Sequence, residues 1–190
     1  MQTVAERNLA IERRGKRLAI EEAPIIVDLD AHGLHISSIW DLVNTSAEYS
    51  FALPVLARHL VLPYSDRTRE GLARALAIKA SSSIWPLLVE QYKISPVGKG
   101  IVAPDDDEVF NLGAKDGLAV ALSVAVTRGT LPELVDLVED RANGPSRLLL
   151  LKGVRKFRNP QTREILECFV DDPELALQVR IWLKLPKNKT

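Results

Sequence analysis

Residues 69–76 read Arg69-Glu70-Gly71-Leu72-Ala73-Arg74-Ala75-Leu76, and nearly the same order of residue types returns at Lys115-Asp116-Gly117-Leu118-Ala119-Val120-Ala121-Leu122, 46 residues later. In both, a cation, an acid and a glycine precede apolar residues spaced three and four apart, the pattern of a helix with one buried face. Self-similarity of this kind dictates architecture, since each repeat is one packing unit. The series continues at Arg147-Leu148-Leu149-Leu150-Leu151-Lys152-Gly153-Val154, 32 residues further on, and more weakly at Val179-Arg180-Ile181-Trp182-Leu183-Lys184 after another 32.

A second series interleaves with the first. Leu53-Pro54-Val55-Leu56, Trp85-Pro86-Leu87-Leu88 and Leu131-Pro132-Glu133-Leu134 each place a proline where a helix's first turn tolerates the missing N–H. The prolines are 32 and 46 residues apart, and a last step of 32 reaches Glu164, opening Glu164-Ile165-Leu166-Glu167-Cys168-Phe169 without a proline. Marker to marker, first helix to second, the distance is 15 residues in three units and 29 in the unit that contains Pro86. The excess falls in residues 95–110, where Pro96, Gly98, Gly100, Pro104 and the run Asp105-Asp106-Asp107-Glu108 carry turn chemistry. That segment reads as an insertion loop, with a helix expected from Val109 to Leu118 behind it.

Two antiparallel helices in about 32 residues cannot bury their apolar faces alone, so successive pairs must stack on one another. From Ala52 to Leu185 the chain resembles HEAT or armadillo-like repeats, in which the second helix opens with Arg or Lys after an Asp-containing turn, as in Asp66-Arg67-Thr68-Arg69. The resemblance implies an all-α fold, an α-α superhelix (HEAT-like solenoid) of about four helix pairs with an N-terminal helical cap. Residues 52–190 would hold the repeats and the loop at 95–110, and residues 1–51 an N-terminal helix and capping segment of the same domain. Within the cap, Gln2 to Glu22 reads as one charged helix, with Val4, Ile11 and Leu18 seven apart and Gly15 weakening it. Ile25 to Leu29 and Leu34 to Ile36 read as a short hairpin or an apolar loop. Ser38 to Asn44 reads as a short helix capped by Ser37 or Ser38, with Trp40 turned toward the first repeat.

The 190 residues, 46% hydrophobic and 26% charged, have the balance of an ordinary globular domain, which excludes disorder and a disulfide framework. The single cysteine, Cys168, cannot pair internally. The N-terminus, with Glu6, Arg7, Glu12, Arg13 and Arg14, is too charged for a secretory signal, so a cytoplasmic protein is expected. No run of 18 apolar residues is present to span a membrane.

Lys and Arg balance Asp and Glu at 25 each, yet the charges are sorted. Residues 67–80, 111–128, 145–158 and 174–189, the expected second helices, hold 15 basic and 3 acidic residues, leaving everything else net −12. Second helices line the concave surface in HEAT-like solenoids. The resemblance therefore places Arg69, Arg74, Lys115, Arg147, Lys152, Arg155, Arg180 and Lys184 on or near one groove, suited to an acidic protein surface or a nucleic-acid backbone. Two other readings compete. Lys79, Arg128, Lys156 and Arg158 sit near helix C-termini, where the helix dipole alone stabilises a cation. Arg69, Lys115 and Arg147 fall in first turns, where they either face the groove or bond to neighbouring turns. Arg74, Lys152, Arg155 and Lys184 are ligand candidates whose bland reading is a solvated face.

Little else points to chemistry. His32 and His35 near Asp28 and Asp30, and His59 alone, lack the spacing of a metal or catalytic cluster. Asp105 to Glu108 lacks the alternation and glycine of a calcium loop, and Gly98-Lys99-Gly100 lacks the context of a phosphate loop. Cys168 reads as a small buried residue, and Trp85 and Trp182 as core. No cofactor or metal is expected. The sequence thus points to a non-enzymatic module that binds an acidic partner protein, as an adaptor, inhibitor or immunity-type protein. The alternative is an enzyme similar to HEAT-like alkylpurine DNA glycosylases, with Asp116 as its acid. A loop of this length and opposite charge can also fold over the groove and gate it.

Overall fold

The computed structural model describes residues 4–43 and 45–185. Helix α1 (Val4–Ala31) runs further than expected, through the segment read as a hairpin or loop. The reason is a stripe: Glu22, Ile25 and Leu29 fall on one helical face and all three are buried. Pro24 sits inside the helix on its exposed side, where it removes one backbone donor. Gln2, at the expected start, lies outside the described residues. Beyond Gly33, Leu34 to Ile36 form no strand. A 3-10 turn (Ile39–Leu42) follows, with Ser38 as its cap and Asp41 closing the capping box. The helix expected here reached Asn44, which lies outside the described residues. Trp40 faces the body of the protein: the Arg67 guanidinium lies 3.7 Å above its ring.

Eight shorter helices follow among the described residues. They are α2 (Leu53–Leu60), α3 (Asp66–Ala75), α4 (Trp85–Ile94), α5 (Ala114–Ala125), α6 (Leu131–Glu139), α7 (Arg147–Val154), α8 (Pro160–Glu167) and α9 (Ala176–Leu183). Pro54, Pro86 and Pro132 open α2, α4 and α6 as the spacing requires. The fourth member does carry a proline, contrary to expectation. Pro160 opens α8 behind the cap Asn159, one turn before Glu164, because the last interval is shorter than the 32-residue rhythm. In the insertion, Lys99–Gly100 (β1) pairs antiparallel with Phe110–Asn111 (β2). This pairing removes Val109 to Asn111 from the expected helix. The Asp66 carboxylate then caps α5, accepting the Gly113 and Ala114 N–H groups at 2.7 and 3.1 Å. At the far end Lys187 and Lys189 lie outside the described residues.

Each second helix packs on its own first helix, α2 with α3, α4 with α5, α6 with α7 and α8 with α9. Helices α3, α5 and α7 also pack on one another in succession. Missing side chains allow the close approach. A Cβ on Gly117 would lie 3.0 Å from the Ala73 Cβ and the Glu70 carbonyl, and one on Gly153 would lie 2.8 Å from the Ser123 Cα. Leu72, Leu76, Leu118, Leu122, Leu150 and Leu151 fill the seam between these helices and are completely buried. Helix α1 joins through its carboxylates. Glu21 accepts the Ser65 N–H and hydroxyl at 2.8 and 2.6 Å at the start of α3, and Glu22 accepts the Ile39 N–H at 3.1 Å.

The glycines predict opposite substitution effects. Gly153→Ala forces a methyl against α5 backbone and lowers the urea-unfolding free energy by about 1–3 kcal/mol. Gly15→Ala, with nothing within 4 Å of the new methyl, raises it by about 0.5–1 kcal/mol, provided unfolding includes that turn of α1.

Candidate functional site

The eight cations expected in one groove separate by their partners. Lys115, 6% exposed, donates from Nζ to the Tyr92 and Ser95 carbonyls at 2.9 and 3.2 Å and lies over the Tyr92 ring. Burial lowers its pKa. Arg147, 1% exposed, donates from Nε to the Val138 carbonyl at 2.6 Å and from Nη2 to Asp172 at 2.7 Å. Arg180 donates from Nε to the Val170 carbonyl at 3.0 Å and pairs with Asp171 at 2.8 Å. The common element is the acceptor, a carbonyl at or just beyond the end of α4, α6 or α8. Such carbonyls have no donor within their own helix, and a cation there also meets the negative end of the helix dipole. Arg69 donates to the Gln91 side chain at 3.0 Å, while its Nε is buried without a partner. Arg74 pairs with Glu70 at 2.8 Å, and Arg67 holds the same carboxylate at 2.8 Å.

Lys152, Arg155 and Lys184 are exposed and make no ion pair among the described residues. Lys184 caps α9 in the left-handed conformation, φ 57°. Lys152 and Arg155 instead line an open cleft of about 480 Å³ together with Lys156 and Arg158, and no carboxylate of the described residues contributes to it. The Lys156 ammonium donates to the Ser123 carbonyl at 2.5 Å, and its pKa is lowered by burial and by the nearby charge of Lys79. The Arg155 guanidinium lies 4.9 Å from the centre of the Trp182 ring. A second cleft of about 430 Å³ adjoins across Arg155 and Arg158, lined by the apolar Phe157, Pro160, Leu166, Trp182 and Leu183 together with Asn159, Thr162 and Arg163. Lys156 and Arg158, explained from sequence by the helix dipole alone, therefore belong to the site. Their signal was present: residues 152–158 carry four cations and no acid. Trp182 does pack on the core, and it also borders this cluster.

Other candidates have local roles. The Asp106 carboxylate, 2% exposed, holds Arg14 at 3.0 Å and Arg17 at 2.9 Å, while the Arg14 guanidinium covers Phe110 at 4.0 Å. The insertion loop is thereby clamped to α1, not laid over the α7 cations. His59, 3% exposed, bonds through Nε2 to Asp28 at 2.7 Å and through Nδ1 to the Tyr64 hydroxyl at 2.8 Å, which joins α1 to α2. That bond to His59, outweighing desolvation and aided by Arg58, holds the Asp28 carboxyl below its ordinary value. His32 bonds to the Asp28 carbonyl and His35 to the Asp30 carboxylate. Among the described residues no three His, Cys, Asp or Glu side chains are placed to share a metal ion. Cys168 is exposed, not buried, because it follows α8 on its outer side, with Sγ 3.4 Å from the Glu164 carbonyl. Asp116 is half-buried in the first turn of α5, and burial raises its pKa against the pull of Arg74. No single helix among the described residues is long and apolar enough to cross a membrane.

Comparison with known proteins adds no relative: no family model, curated protein or solved structure matches the chain.

The Arg147 pair predicts an acid-sensitive fold. Burial pushes the Asp172 carboxyl up, but bonds from Arg147 and from the Glu174 and Leu175 N–H groups outweigh it and hold the pKa below 3.8. A carboxyl depressed in this way contributes stability above the unfolded pKa and loses it as pH falls through the folded one. Asp172→Asn is expected to lower unfolding free energy at pH 7 by about 3 kcal/mol, since Arg147 stays buried. Denaturant titrations should show a shallower loss for the variant than for the wild type below about pH 4.

Proposed function

We propose that the chain is a non-enzymatic binding module, a small HEAT-like solenoid that engages an acidic surface of a partner protein. The fold reading is supported by the paired helices, by the succession α3, α5, α7, and by the repeated use of Lys115, Arg147 and Arg180 at the ends of preceding helices. The binding reading rests on one observation. Lys152, Arg155, Lys156 and Arg158 surround a single cleft, with no carboxylate lining it among the described residues. Like charges gathered without counter-charge repel, and that repulsion is relieved when an anionic surface arrives, which favours association and steers it. The other members of the expected basic set differ in kind. Lys115 and Arg147 are buried in the stack, Arg74 and Arg180 already hold carboxylates, Arg69 donates to Gln91, and Lys184 is exposed at the end of α9 but lines neither cleft.

A second reading, an enzyme acting on nucleic acid with Asp116 as its acid, has one observation in favour. Burial raises that carboxyl, as a general acid requires. Against it, Asp116 lines neither cleft at the end of α7, and the cation that acts on it, Arg74, is paired with Glu70.

Polarisation titrations separate the two. The wild type is expected to bind a labelled polyglutamate peptide at low salt and to release it as salt rises. Combining Lys152→Glu, Arg155→Glu, Lys156→Glu and Arg158→Glu should weaken this binding by about tenfold or more. Unchanged affinity in the variant refutes the acidic-partner reading. Tighter binding of duplex DNA with a steep salt slope supports the enzyme reading instead.

A further inference from the structure

We propose that the partner segment recognised at the end of α7 combines acidic residues with one apolar anchor side chain, an inference that rests on the acidic-partner reading above. The geometry behind it is the juxtaposition of two unlike clefts. Among the described residues one is lined by Lys152, Arg155, Lys156 and Arg158, and the other joins the apolar side chains of Phe157, Pro160, Leu166, Trp182 and Leu183 to the polar Asn159, Thr162 and Arg163. Arg155 and Arg158 border both. A segment crossing that ridge meets guanidinium groups able to hold a carboxylate in a two-pronged bond, with ammonium groups on one side and an apolar seat on the other.

Charge selects the occupant. Elsewhere along the second helices Arg74, Arg147 and Arg180 are paired with Glu70, Asp172 and Asp171; Lys79, Arg128 and Lys184 make no ion pair among the described residues, but the cations that share one cleft are those of residues 152–158, so free positive charge gathers there as a patch. A nucleic-acid strand needs cations repeated along its backbone and open aromatic faces on which bases stack. Here Trp182 is covered by the Arg155 guanidinium, and the remaining apolar lining is Phe157 with Pro160, Leu166 and Leu183, the two leucines only 5% and 9% exposed. One side chain of leucine size fits such a seat; a stack of bases does not. A second copy of this chain offers acids beside an exposed Val109, but that run is pinned at its middle by Asp106 to Arg14 and Arg17. It therefore cannot present itself as an extended segment.

The test uses the whole chain and three labelled probes: an acidic peptide with a central leucine, the same peptide with alanine there, and a single-stranded oligonucleotide of equal charge. Burying the leucine is expected to make the first peptide bind about tenfold tighter than the second. Trp182→Ala should abolish that advantage while leaving the alanine peptide's affinity within about twofold. The peptide exchange on the unaltered chain decides the matter even where Trp182→Ala unfolds. Equal binding of the two peptides overturns the anchor while leaving the acidic-partner reading standing. Failure of both peptides to bind removes both. An oligonucleotide that binds tighter than the leucine peptide overturns the inference in favour of nucleic acid. Self-association in sedimentation velocity that the leucine peptide competes away overturns it in favour of a second copy.

Discussion

A cation reaching from a second helix to the carbonyls at the end of the helix before it is the contact on which this stack depends. Lys115, Arg147 and Arg180 each make it, and the first two do so in nearly complete burial. The end of a helix inside a packed body leaves carbonyl groups that neither water nor the helix itself can satisfy, and a buried polar group without a partner costs several kcal/mol. A long cationic side chain answers that need, and where it is fully enclosed it requires its own counter-charge, which Asp172 supplies to Arg147. These bonds tie α5, α7 and α9 to the helices before them. Gly117 and Gly153 let α5 and α7 approach their neighbours without a methyl between.

The same contact empties most of the apparent basic face. Cations engaged with carbonyls and acids inside the fold present little field outward, so the excess of positive charge on the second helices does not add up to a continuous groove. Among the described residues, unpaired cations gather at the end of α7, where Lys152, Arg155, Lys156 and Arg158 converge, while Lys184 stands by itself at the end of α9. Helix dipole and partner binding are not rivals here. The carbonyl end of α7 lowers the cost of gathering cations, and the absence of a carboxylate leaves them available. The acidic insertion does the reverse, since the Asp106 carboxylate is enclosed with Arg14 and Arg17, and binds the loop to α1.

Much of the helix layout was legible in the chain. The prolines at 54, 86 and 132 marked first helices, and the Gly-Leu-Ala segments marked α3 and α5, because both signals depend only on local backbone chemistry and side-chain period. The failures share a cause. Ile25 to Leu29 looks like a strand or loop until its burial against the body shows that Glu22, Ile25 and Leu29 form one helical stripe. Val109 to Asn111 looks helical until it pairs with Lys99–Gly100 across the insertion. Pro160 falls outside the 32-residue rhythm because the chain reaches its fourth proline-led helix after a shorter interval. At the site, Arg69, Lys115 and Arg147 were seen as a column, but whether such a column faces outward or inward depends on which carbonyls end up beside it.

Residue order alone settled that the chain is built of short helices, where most of them begin, and that positive charge gathers on alternate ones. Those properties belong to neighbours within a few turns, which the backbone brings together in any compact state. Only the tertiary structure decided which cations are free. Lys115 and Lys152 are both lysines on second helices, yet one is enclosed between α4 and α5 and the other stands in an open cleft. The difference arises from partners far away in sequence, such as the 25 residues between Arg147 and Asp172. No local pattern encodes such a pairing; it exists once the helices have packed.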